Sequence, residues 1–190
     1  FTDGVTKDLF AKATIGAFPS LKDFDTTVHF TELEINTKTF AVGKGFIGKI
    51  ADKSVLLLEL PHSHMPQGYD KFIQWLAKQN IRVIIPHPER NRDIQSNLYY
   101  IQHLNQLGCD FQLTASSIEG EWGESAQTIA LQMLKDGLVN YVASDAHSVK
   151  RRPPILSQTR NTVAQLIGEE QATALFVTNP LQLTECLFND

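Results

Sequence analysis

Long apolar runs, cysteines and clusters of positive charge are scarce in this 190-residue chain, and each scarcity removes a class of function. No stretch of about 18 apolar residues occurs, so no membrane insertion is expected. Lys and Arg total 17 against 21 Asp and Glu, a net charge of −4. No basic cluster is large enough to track a phosphate backbone, so no nucleic-acid partner is expected. The two cysteines, Cys109 and Cys186, lie 77 positions apart and form neither a metal knuckle nor a redox pair. Cys109 opens an apolar strand and Cys186 lies in a helical pattern. Both read as reduced core residues of a cytoplasmic protein. The chain opens on Phe1 rather than Met, with no signal peptide ahead of it, and is expected to be a piece of a longer one.

What the chain does have is an apolar fraction of 42%, enough for one substantial core, and residues 1–190 are expected to form a single domain. The opening is weakly patterned: a short helix is predicted over 6–13 and an alternating strand over 28–35. Residues 37–49, with three glycines and little periodicity, are predicted to be an irregular loop with a short helix near its end. From Val55 the pattern becomes regular. Val55 to Leu60 and Ile81 to Ile85 are short apolar runs without helical period, the mark of strands buried on both faces. Cys109 to Leu113 and Asn140 to Ala143 are further strands. Helices are predicted between them over 69–78, 94–107 and 125–135. The second has Ile94, Leu98, Ile101 and Leu104 on one stripe and Gly108 as its C-cap glycine. The tail reads as helices over 154–167, 169–177 and 180–187, with Pro180 in a first turn.

The strand ends carry the chemistry. Glu59 to His87 is 28 residues, His87 to Thr114 is 27 and Thr114 to Asp145 is 31, a β/α period without sequence self-similarity. A β/α barrel and an open parallel sheet both satisfy it. In either, the carboxyl ends of the strands hold the site. Glu59 interrupts a run of leucines, where a lone carboxylate is costly unless a cation sits beside it or the strand end reaches water. His87 follows the second apolar strand in Pro86-His87-Pro88-Glu89-Arg90, and reads as a ligand or as a turn histidine held between prolines. Asp145 and His147, two apart at a strand end, would point the same way in extended backbone. They suit zinc, manganese or iron, or else a helix cap and a surface histidine. Glu34 at the end of its alternating strand is a weaker candidate. His62 and His64 pair by pattern but lie in a loop past Glu59, where a solvated loop is the favoured reading. Arg90 and Arg152 offer planar charged forks for phosphate oxygens, whereas Arg151 reads as a surface ion pair. Glu, His and Asp-x-His at nearby strand ends, with arginines beside them, point to a polynuclear metal site acting on a phosphate. Divalent ions there would lower the pKa of water and neutralise phosphoryl oxygens during in-line displacement.

The segments LLLELP, IIPHPER, ASDAH and RRPP, in this order and with fitting gaps over about residues 31–185, resemble the PHP-superfamily (polymerase and histidinol phosphatase) protein-tyrosine phosphatases of bacterial capsule and exopolysaccharide operons. The resemblance implies an α/β fold, a distorted β/α barrel of about seven strands, with a trinuclear metal centre, usually manganese, at its carboxyl rim. Iron and zinc also suit the donors. It implies Glu34, Glu59, His87, Asp145 and His147 as metal ligands, although Glu32 stands where the family has a glycine. Arg90 and Arg152 would be the phosphate-binding arginines, with Asp145 or a metal-bound water helping the leaving group. The implied partner is the phosphotyrosine-bearing tail of a bacterial tyrosine autokinase, and the implied assembly a homo-oligomer. The family's opening His-x-His strand and a further strand-end histidine have no counterpart here, so an N-terminally truncated form is expected, and His62 and His64 follow the wrong strand to replace them. Two other readings remain open: a phosphoesterase acting on a small molecule such as histidinol phosphate, and a non-catalytic fragment that binds a phosphorylated tail.

Overall fold

A computed structural model describes residues 41–50 as backbone, and residues 53–146 and 153–184 with their side chains. The helix predicted over 6–13, the strand predicted over 28–35, and Cys186 lie outside the described residues. So do the candidate residues Glu34, His147, Arg151 and Arg152.

The described strands form one sheet in the order β1 (Ala41–Ile50), β2 (Lys53–Glu59), β3 (Ile81–Pro86), β4 (Asp110–Thr114) and β5 (Tyr141–Ala143). β1 pairs antiparallel with β2, and β2 to β5 run parallel. Short runs of Val, Ile and Leu become these strands because a parallel sheet covered on both faces needs apolar side chains pointing both ways. Between the strands lie α1 (Tyr69–Lys78), α2 (Arg92–Ser96), α3 (Tyr99–Gln106), α4 (Ala115–Ile118) and α5 (Glu124–Lys135), followed by α6 (Ser157–Ile167), α7 (Glu169–Thr173) and α8 (Asn179–Thr184).

Alternation along the strands sorts the sheet into two unlike faces. Leu56, Leu58, Val83, Ile85, Phe111, Leu113 and Val142 share one buried core with Ile73 and Leu76 of α1, Leu104 of α3, Met133 of α5 and Val163 of α6. Helices α1, α3, α5 and α6 therefore cover one face. The strand order advances by one neighbour at a time from β1 to β5, without the reversal that marks a doubly wound sheet. On the opposite face Val55, Leu57, Ile84 and Tyr141 meet Leu183 of α8 in a much smaller cluster. Arg82, Asp110, Gln112 and Glu59 share that face by register.

Three expectations need correction. Residues 41–49 are strand, not loop. Gly43, Gly45 and Gly48 hide the alternation, and register shifts around Phe46 show a pairing broken by irregularities of the kind glycine permits. The helix expected over 94–107 is two. Asn97 takes extended backbone (φ −151, ψ 104) and its Oδ1 accepts from the Tyr99 N–H at 3.0 Å, so Leu98 leaves the buried stripe and is 41% exposed. The tail helix over 169–177 changes to a π-helical turn at Ala174–Thr178. Gly108 does adopt the positive φ (81°) of a helix-ending glycine.

Candidate metal and phosphate site

The carboxyl ends of four strands converge as their spacing implies. Glu59 ends β2, His87 follows β3, Thr114 ends β4 and Asp145 lies just past β5. Glu59, His87 and Asp145 line one cavity of about 230 Å³ with Leu57, His62, Pro86, Arg90 and Gln112. Two of those eight residues are apolar, which suits a charged ligand better than a greasy one.

His87 is buried and takes φ 39, ψ 48, a left-handed conformation that costs a non-glycine residue about 1–3 kcal/mol. Its backbone N–H is tied to the Gln112 carbonyl at 2.8 Å, and the turn that follows, Pro88–Arg90, is a single 3-10 turn. The result aims Nε2 at Glu59 Oε1, 3.1 Å away. This contact holds the Glu59 carboxyl below the usual carboxylate range, overcoming the opposite effect of partial burial. Asp145 is also left-handed (φ 50) rather than extended, and its expected companion His147 lies outside the described residues.

Arg90, expected to hold phosphate, is itself held from several directions. Its Nη2 donates to Thr114 Oγ1 and to Asp145 Oδ2, each at 2.5 Å. Its guanidinium carbon lies 4.3 Å from the ring centroid of Trp122, a cation–π contact. Trp122, from the loop between α4 and α5, is fixed in turn by its indole N–H on Ser116 Oγ at 2.8 Å. Arg90 Nε is buried without a hydrogen-bond partner among the described residues. Beneath it, fully buried Glu89 accepts from the Thr114 backbone N–H at 3.1 Å, and burial raises its carboxyl above the ordinary range. Glu89 thus couples the end of β4 to the turn that carries Arg90.

Of the expected site residues, Glu59, His87, Arg90 and Asp145 meet at one rim. Sequence reasoning missed three participants. His62, read as part of a solvated loop, is exposed yet stacks on His87 with ring centroids 5.2 Å apart and planes 22° apart. Its imidazole, the His87 imidazole and the Glu59 carboxylate offer ligand atoms that all lie within 4.8 Å of one another. Partial desolvation of its ring lowers the His62 pKa, with the neighbouring His87 and Arg90 charges adding to the effect. Thr114 was visible as a strand end but not as a partner for Arg90. Trp122 carried no local signal at all. The donor set of two imidazoles and a carboxylate fits a divalent transition ion.

Comparison with known proteins agrees with this picture. The family described as capsular polysaccharide synthesis, CpsB/CapC, matches residues 31–185. Tyrosine-protein phosphatase YwqE of Bacillus subtilis (strain 168) is 35% identical over 101 residues, 53% of this chain and 40% of that protein. Tyrosine-protein phosphatase CpsB of Streptococcus pneumoniae is 31% identical over 108 residues, 54% of this chain and 44% of that protein. Each match thus spans less than half of the relative's length. A solved structure from work on YwqE of Bacillus subtilis and CpsB of Streptococcus pneumoniae, described as metal-dependent tyrosine phosphatases, has the same α/β fold. Its TM-score is 0.56 at 31% identity, covering 69% of this chain and 50% of that one. With four-fifths of its residues matched, the chain belongs to the capsular polysaccharide synthesis CpsB/CapC family.

Proposed function

We propose that this chain carries the site of a metal-dependent phosphatase that hydrolyses phosphotyrosine on a bacterial tyrosine autokinase, in the control of capsular or exopolysaccharide production. The observation that carries the reading is the meeting of Glu59, His87, Arg90 and Asp145 in one polar cavity at the carboxyl ends of parallel strands. The names of YwqE and CpsB as tyrosine-protein phosphatases support it.

Glu59 and His87, with Asp145, Glu34 and His147, are the residues we propose as metal ligands. Manganese is the proposed ion, and iron or zinc is compatible with the same donors. When bound, such ions supply Lewis acidity toward the phosphoryl oxygens and make hydroxide available near neutral pH. Arg90 and Arg152 bring positive charge to the phosphate. Arg90 can do so without reorganising, because Thr114, Asp145 and Trp122 already fix it. Hydrolysis adds water across the P–O bond, releasing inorganic phosphate and tyrosine. The proton that the phenolic oxygen gains comes from the attacking water, and we assign Asp145, ionised beside Arg90, to relaying it. The partner is the kinase's phosphorylated tail, the location cytoplasmic, and the unit a single domain. No helix among the described residues is long and apolar enough to cross a membrane.

Asp145→Asn gives the sharpest test. Asparagine tolerates the left-handed backbone and keeps the side-chain shape while removing the charge. Hydrolysis of a phosphotyrosine peptide in manganese buffer should fall by about 10³-fold in kcat/KM, and Arg90→Ala should lose about 10²-fold. Retention of full activity by Asp145→Asn would reject the assignment.

A further inference from the structure

The loop between β2 and α1 carries a histidine that no motif accounts for, and the structure does not treat this loop as a solvated connection. Buried Asn91, four residues past His87, donates from its side-chain amide to the Pro61 carbonyl at 2.5 Å and to the His64 carbonyl at 3.0 Å. The Arg92 backbone N–H donates to the carbonyl of His62 itself at 2.9 Å. The Met65 N–H donates to Asp93 Oδ2 at 2.8 Å. Four hydrogen bonds therefore bind residues 61–65 to the segment that directly follows His87. The backbone of His62 and the backbone of His87 are fixed relative to each other, and the stacked rings are the consequence.

We propose that His62 is a metal ligand, and that Glu59, His62 and His87 together hold one divalent transition ion through a carboxylate and two imidazoles. Three features support this. The ligand atoms already lie within 4.8 Å of one another, and the Glu59 to His87 pair, at 3.1 Å, has the separation of two atoms bound to a common ion about 2.1 Å from each. Two nitrogens and one oxygen form a set that zinc, iron and cobalt accept readily and that magnesium and calcium do not favour. The loop is also anchored before any ion arrives, so little ordering cost opposes binding. Position argues the same way: His62 lines the cavity, whereas His64 on the same loop pairs its Nδ1 with Ser63 Oγ at 2.8 Å and lies outside it.

The inference deepens the phosphatase reading by adding a ligand to its metal site, and it is tested apart from hydrolysis. Titrations with Zn2+ and Co2+ alone would compare the whole chain with His62→Ala and His64→Ala. Loss of a direct ligand should weaken Zn2+ binding by on the order of 100-fold in His62→Ala, with His64→Ala unchanged. The Co2+ visible spectrum should change in His62→Ala, because one imidazole is lost from the ion. In the unaltered chain, the His62 ring nitrogens should shift on Zn2+ addition when followed by imidazole NMR. His62 is exposed, so the variant should keep the metal-free melting temperature, which separates loss of binding from loss of fold. An unchanged Co2+ spectrum and Zn2+ affinity in His62→Ala would overturn the inference, as would a chain that takes up no Zn2+. A chain that binds through His62 but leaves phosphotyrosine intact would keep the inference and reject the phosphatase reading.

Discussion

Two arginine–aspartate pairs sit at opposite ends of one sheet face, and they are built for different purposes. At the amino end, Arg82 of β3 meets Asp110 of β4 across neighbouring strands, with Nε on Oδ2 and Nη2 on Oδ1, both at 2.6 Å. This is a bidentate fork, the geometry in which guanidinium and carboxylate satisfy each other. At the carboxyl end, Arg90 touches Asp145 through a single nitrogen, shares that nitrogen with Thr114, stacks on Trp122 and leaves Nε without a partner among the described residues. The first pair is closed and staples two strands. The second is held in place but not saturated, and its aspartate sits on a strained backbone. A closed pair has nothing left for a ligand, whereas an arginine braced by several weak partners can be ready to receive one.

The staple predicts the larger effect on folding. Removing one member of a fully buried pair costs about 3–5 kcal/mol, but the Arg82 side chain is 36% exposed and can regain water. Asp110→Ala should therefore cost about 2 kcal/mol, a fall of about 6 °C in Tm for a chain of this size. The same substitution at the open end, Asp145→Ala, should cost less than half as much. Equal losses in thermal melts would mean that both pairs are structural, and the contrast would fail.

Next in size is the brace. Trp122 is 42% exposed and contributes little to the core, so its truncation should act through Arg90. A cation–π contact of this kind contributes about 1 kcal/mol, which sets an expected rise of about fivefold in KM for a phosphotyrosine peptide in Trp122→Ala. kcat should be nearly unchanged and Trp122→Phe should recover most of the loss. A drop confined to kcat would show that Trp122 does something other than steady the arginine.

How far each end was legible in the sequence follows from what the residues signal locally. Glu59, His87 and Asp145 stood out because each breaks an apolar run at a regular interval, and the interval is a direct product of β/α geometry. The Arg82–Asp110 staple was invisible, since Arg82 interrupts its apolar run without naming a partner and the pairing depends on register across two strands. Trp122 and Thr114 were missed for a related reason. Their role depends on which way Arg90 turns, and a left-handed residue at His87 decides that direction. His62 was misread because a loop histidine is usually solvated, and the buried amide of Asn91 that fixes this loop comes 29 positions later. The strand β1 escaped because glycine erases alternation without preventing pairing.

The smallest predicted effect separates the two ends by the pH limb on which each acts. At the closed end, burial first and the charge of Asp110 second push the Tyr141 phenol from its ordinary 10.0 up to about 12, with Arg82 opposing. Below pH 10 the phenol is protonated folded or unfolded and contributes no slope. Between about pH 10 and 12 the unfolded chain releases this proton while the folded chain keeps it, so stability falls as pH rises through that window. Tyr141→Phe should flatten part of this alkaline limb. The rest should remain, because burial also raises Tyr69 and Cys109 to about 12. At the open end the sign reverses. The folded Glu59 carboxyl lies below its ordinary 4.5 because of His87, so its stabilisation is complete above pH 4.5 and is lost as pH falls through the folded value. Glu59→Gln should flatten the acid limb and leave the alkaline one alone. Urea midpoints measured across pH at constant ionic strength would read both slopes. If Tyr141→Phe altered the acid limb, or Glu59→Gln the alkaline one, the two ends would be coupled through the sheet and could not be treated as separate devices on one face.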